Sequence, residues 1–268
     1  MYSGRRKKRN GSLKILFSII IPLVSIFILL KAFQKEVLFF AERFEDDRVL
    51  KFYLNLGSDF SNKNADGYTV FHKAAQDPNY TFVRFYAENY NRINSKIDNK
   101  ITPMHIALIN KHESIVEILA DQKRDIDLQD YKGMGPIHYA IEYENMRALE
   151  ALIVKKADLD IKNDSGETPI IYAIIKKNHK ALKMLLDAGA QVNLRGGDGY
   201  TPLQKAIVLE HGDMVKMLLD NEASVFHKTS RGLSIYQLAK RNKKTAILFL
   251  LKEYCQNRKI CPRDLLRN

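Results

Sequence analysis

Seven histidines are the residues of this chain best suited to metal ligation or proton transfer, and their spacing argues against both. His72, His105 and His138 recur at intervals of 33, and His112 and His211 fall on a second column of the same period. Residues one period apart in a stack of helical units lie about 10 Å from each other, too far to share a metal bonded at about 2 Å. Period explains the first column instead, as a residue that holds one turn to the next. The chain has no glycine-rich phosphate loop ending in Lys-Ser/Thr, no Gly-x-Ser-x-Gly and no His-Glu-x-x-His. Its acids are scattered over loops, with no pair that converges on a cleft. The sequence therefore predicts no catalytic residue, no cofactor, no metal site, no small-molecule substrate and no enzyme activity. The two cysteines, Cys255 and Cys261, lie near the C-terminus. In an oxidising compartment they are expected to form a local disulfide, and in a reducing one to remain thiols.

The period itself dictates the elements. Ala74, Ala107, Ala140, Ala173, Ala206 and Ala239 form one column, and Thr69, Thr102, Gly135, Thr168, Thr201 and Ser234 another, without slip. A fixed period of this size means a stack of identical supersecondary units. Thr accepts a hydrogen bond from an unpaired amide of the first helical turn, so this column caps a helix. Pro103, Pro136, Pro169 and Pro202 follow it, where no amide donor is needed. The alanines mark a helix contact too close for a larger side chain. Runs such as Ile115-Val116-Glu117-Ile118-Leu119 and Met184-Leu185-Leu186 supply a second apolar helix, and Gly189 stops one such helix.

These motifs resemble the ankyrin repeat: a turn, two antiparallel helices, and Thr-Pro-Leu-His-x-Ala opening the first. Thr102-Pro103-Met104-His105-Ile106-Ala107 and Thr201-Pro202-Leu203 carry the likeness. The expectation is an all-α ankyrin-repeat solenoid of six clear repeats and a degenerate N-terminal capping unit at 34–62, preceded by one transmembrane helix. The domains read 1–12 basic cytoplasmic segment, 13–33 signal-anchor, 34–254 repeat domain and 255–268 basic tail.

The membrane expectation rests on the apolar stretch Ile15 to Leu30, bounded by Lys14 and Lys31 and preceded by Arg5-Arg6-Lys7-Lys8-Arg9. Leu13, Ala32 and Phe33 lengthen it, and lysines at its ends can snorkel to the interface. No small-x-small cleavage site follows Leu30. Basic residues dominate the preceding flank, so the positive-inside rule places the N-terminus in the cytoplasm and the repeats across the membrane. The alternative keeps the repeats in the cytoplasm.

Net charge is +12 but sits at the two ends. Residues 1–14 hold six Lys/Arg and no acid, and 240–268 hold nine Lys/Arg and two acids, leaving the body near neutral. A basic face along the repeats would point to nucleic acid; charge at the ends does not. The tail reads as a solvated cap, with anionic lipid as its alternative ligand.

The resemblance implies a partner protein on the concave face built from turn tips and first helices. Carried over by position, that face holds Tyr68, Ile101, Tyr131, Met134, Tyr143, Lys176 and Tyr200. Tyr and Met suit such contacts, offering large area at modest entropy cost. The function expected is a membrane-anchored, non-catalytic interaction module that either scaffolds or blocks its partner; the sharper, inhibitory version resembles bacterial immunity proteins that neutralise a secreted toxin. A cytosolic scaffold, a host-directed effector and a lipid-engaging protein are the alternatives.

Overall fold

The computed structural model describes residues 63–89, 99–122, 126–241, 244–258 and 262. Among them the period resolves into six helix pairs. The first helices are α1 (Val70–Gln76), α3 (Pro103–Ile109), α5 (Pro136–Glu142), α7 (Pro169–Ile175), α9 (Pro202–Val208) and α11 (Ile235–Arg241). The second helices are α2 (Tyr80–Asn89), α4 (Glu113–Asp121), α6 (Met146–Val154), α8 (His179–Asp187), α10 (Gly212–Asp220) and α12 (Thr245–Arg258).

Local chemistry sets both starts. Thr69, Thr102, Thr168 and Thr201 each accept a bond from the amide three residues on, and Ser234 does so for Gln237. Asn79, Asn145 and Asn178 cap second helices in the same way. Between the two helices of a unit the chain passes through one left-handed residue, Lys111, Glu144, Lys177 or Glu210. That reversal lets the next amide return to the first helix, as Asn145 N–H does to the Ala140 carbonyl at 2.9 Å.

All six column alanines are fully buried. Each first helix packs on its own second helix and on the first helices of adjoining units, and second helices pair in the same nearest-neighbour fashion. The apolar interior is therefore continuous along the stack, as a solenoid requires. Leu149, Leu152, Leu182, Leu185 and Leu218 are buried at 0 % exposure between the two helix layers. Successive turns are also tied by main-chain bonds, Tyr131 N–H to the Asn99 carbonyl, Asp164 N–H to Lys132 and Gly197 N–H to Gly166, at 3.0–3.1 Å.

The transmembrane helix expected ahead of the solenoid is corrected: among the described residues no helix is long and apolar enough to cross a membrane. The longest of them, α12, has 14 residues, about 21 Å at 1.5 Å per residue against a hydrocarbon core of about 30 Å. The segment 13–33, with the basic residues 1–12 and the degenerate unit 34–62, lies outside the described residues.

Candidate protein-interaction surface

The turn tips and first helices form one face of the stack, and its third and fourth units gather an unusual set of side chains. Asp130, 4 % exposed, is the joint of the third turn. Its Oδ1 accepts the amides of Lys132 and Met134, both at 2.8 Å. Its Oδ2 accepts the Tyr139 hydroxyl at 2.8 Å, fixing α5 to the turn. Tyr139 stands edge-on to the His105 ring at 4.7 Å, and Tyr172 edge-on to His138 at 5.5 Å. Tyr143 stacks on Tyr139, 6.0 Å between centroids.

Glu142 joins the two units. The Tyr172 hydroxyl donates to its Oε2 at 2.6 Å, and Lys176 Nζ lies 2.9 Å from Oε1 and 2.6 Å from Oε2. The same ammonium is 5.4 Å from the Tyr172 ring centroid. One unit earlier, Lys132 Nζ is 5.3 Å from the Tyr131 ring. Burial pushes the Glu142 carboxyl up, but the hydrogen bonds from Lys176 and Tyr172 and the charges of Lys176 and Lys132 outweigh it and hold it below its ordinary value. Burial, then bonding to a carboxylate, raises both the Tyr139 and Tyr172 hydroxyls. Both therefore stay protonated donors at any ordinary pH.

Beneath this layer run the histidines. Nδ1 of His72 and His105 lies 2.7 Å from the hydroxyl of its capping threonine. Nδ1 of His138 accepts the Gly135 amide at 3.3 Å. Nε2 of the three donates to the carbonyls of Ile101, Met134 and Glu167 in the next turn, each at 3.2 Å. Gln204 takes the role in the fifth unit, accepting the Thr201 amide and donating to His227. Burial drives His138 down to about 4, so the ring is neutral at pH 7. Among the described residues, no group of three or more His, Cys, Asp or Glu is placed to hold a metal ion.

The expected contact residues divide. Tyr131 is 52 % exposed, Tyr143 is half-buried beside Tyr139, and Lys176 is exposed and bound to Glu142. Of the three, Lys176 is bonded to Glu142, Tyr143 stacks on Tyr139 and Tyr131 lies beside Lys132. Tyr68, Ile101, Met134 and Tyr200 are half-buried and packed on the core; Tyr68 stands edge-on to His72 at 5.9 Å. Ile109 and Leu209, 37 % and 38 % exposed, extend the face into the second and fifth units. Sequence reading missed both, and also missed Asp130, Tyr139, Glu142 and Tyr172. The tyrosine pair at one column, Tyr139 and Tyr172, was a legible signal; the bond from Tyr172 to Glu142 across units was not. Cys255 is buried on α12, while Cys261 lies outside the described residues, and with it the expected disulfide.

Paired helices stacked every 33 residues with a polar and aromatic face define a repeat-built interaction scaffold. The chain belongs to the ankyrin-repeat family: the model of that family, "Ankyrin repeats (3 copies)", matches residues 38–130 and 137–230, more than half of the chain. No curated protein matches it. The fold is similar to the ankyrin repeat domain of Bcl-3, described as a unique member of the IkappaB protein family, with TM-score 0.70 and 21 % identity over 76 % of this chain and 91 % of that one. It is also similar to an ankyrin repeat domain from Acinetobacter baumannii AYE, with TM-score 0.60 and 22 % identity over 66 % of this chain and 93 % of that one. Ankyrin repeats are protein–protein interaction modules, and the fold is typically a non-catalytic scaffold.

Proposed function

We propose that this protein binds a partner protein against the first-helix face of its third and fourth units. The observation that carries the reading is an aromatic layer on this face, in which Tyr143 stacks on Tyr139, Tyr172 bonds the Glu142–Lys176 pair, and Tyr131 stands exposed beside Lys132. Tyr139, Tyr143 and Tyr172 are held by Asp130, Glu142, the histidines and each other, so they offer contact area with little ordering cost. Partners seated on such a face are either scaffolded or blocked. Assaying the captured partner with and without this chain separates the two, and inhibition supports an immunity-type role.

The test compares capture by the full chain with capture by a variant carrying Tyr131→Ala and Tyr143→Ala. Loss of capture by at least about tenfold with an unchanged melting curve is expected, because aromatic anchors dominate interface energy. Met134 is left intact because it packs on the core. Unchanged capture by the variant, with loss on altering exposed Val154 of α6, would move the binding face to the second helices.

A further inference from the structure

The carboxylate at the centre of this face already carries a cation. Tyr172 fixes one oxygen of Glu142 from the next unit, and the Lys176 ammonium sits within 2.9 Å of both oxygens and beside the Tyr172 ring. The site is thus a carboxylate with its orientation set by Tyr172, whose ring lies beside it, filled by a lysine on a flexible stem that is 38 % exposed. An ammonium meets such a carboxylate as a point charge. A guanidinium would meet it with two parallel N–H bonds and lay its plane against a tyrosine ring. An incoming carboxylate would face Glu142 and would have to draw Lys176 away from it, leaving Glu142 with only the more distant charge of Lys132.

We propose that the Glu142–Tyr172 site receives an arginine side chain of the partner protein, which takes the place of Lys176. This rests on the reading that a partner binds the first-helix face. The neighbouring apolar contacts narrow the partner further. Ile109 lies one unit before Glu142 and Leu209 two units after it. Units stack at about 10 Å, and an extended chain advances about 3.3 Å per residue. An extended partner segment therefore places one apolar residue about three positions from its arginine on one side and another about six positions away on the other.

The experiment titrates the full chain with synthetic peptides that carry one arginine and two leucines at those spacings, in both chain directions. Because emission from 13 tyrosines would not single out the site, binding is read from the anisotropy of a fluorophore on the peptide. Replacing the arginine of the peptide by lysine should weaken binding about fivefold or more, and by glutamate abolish it. Lys176→Met should tighten the arginine peptide several-fold by removing the resident cation, and Glu142→Gln should weaken it about tenfold. Melting curves confirm that both variants fold. Absence of binding by every peptide, equal binding of the arginine, lysine and glutamate peptides, or weaker binding by Lys176→Met would overturn the assignment. If a partner is captured through Tyr131 and Tyr143 but Glu142→Gln leaves its capture unchanged, the arginine site falls while the binding face stands. If Tyr131→Ala with Tyr143→Ala leaves capture unchanged, the binding face itself falls.

Discussion

Burial holds His138 neutral, outweighing the bond that Nε2 donates to the Glu167 carbonyl and the charge of Asp130, while Nδ1 accepts the Gly135 amide. Its folded value near 4 lies below the ordinary 6.5. A depressed value means that the unfolded chain binds the proton first. The stability that the neutral ring contributes is therefore complete above pH 6.5 and lost as pH falls towards 4, a loss of about 3 kcal/mol at 1.36 kcal/mol per unit. Melting in urea between pH 7 and 4 checks this, and His138→Gln should flatten the slope, since Gln204 makes the same pair of bonds without titrating. An unchanged slope would mean that the ring is not the group responsible. Turn conformation is a second residue-scale matter. The cap-minus-two column is glycine in five units and Lys100 in the other, where a lysine sits at φ 56. Lys100→Gly should relieve a left-handed side chain and raise stability by about 1 kcal/mol. Gly166→Ala should do the opposite, because an added Cβ would stand 2.5 Å from the Gly197 Cα. We expect a loss of about 2 kcal/mol or more by chemical denaturation. The threonine and histidine columns could be read from the sequence, since a cap needs one side chain at one spacing. The left-handed column Lys111, Glu144, Lys177 and Glu210 could not, because charged residues give no conformational signal of that kind.

At the scale of elements, the alanine column decides how closely first and second helices approach. Ala140 is fully buried between them, and Ala140→Leu should overpack the pair and cost about 1–3 kcal/mol in a denaturation experiment. An unchanged midpoint would mean that the helices separate freely. Acid-to-base pairs cross from one unit to the next at a spacing of 34: Glu113 to Arg147, Asp121 to Lys155, Glu142 to Lys176 and Glu210 to Lys244. Each is partly exposed, so each contributes modestly and is weakened by salt. Their common direction tells adjoining units apart from a shifted register. Helix starts were legible because caps and prolines mark them. These pairings were not, since a spacing of 34 becomes meaningful only once the units are stacked.

For the whole molecule, nearest-neighbour packing makes stability a property of unit interfaces rather than of one central core. The last helix shows the consequence. Phe249 on α12 is 70 % exposed, and among the described residues α12 packs mainly against α10 and α11. Phe249→Gln should change stability by less than about 0.5 kcal/mol. The solenoid was readable from the period. The packing of single turn residues was not, because Tyr68, Met134 and Tyr200 are half-buried on the core while Tyr131 is 52 % exposed, a difference that only side-chain geometry reveals. The central claim is that a partner sits on the first-helix face of units 3 and 4. The most direct measurement places a photo-crosslinking amino acid at position 143 or, separately, at position 154 of the full chain in its own cells. The account predicts one partner adduct from position 143 and none from position 154. An adduct from position 154 alone would contradict it.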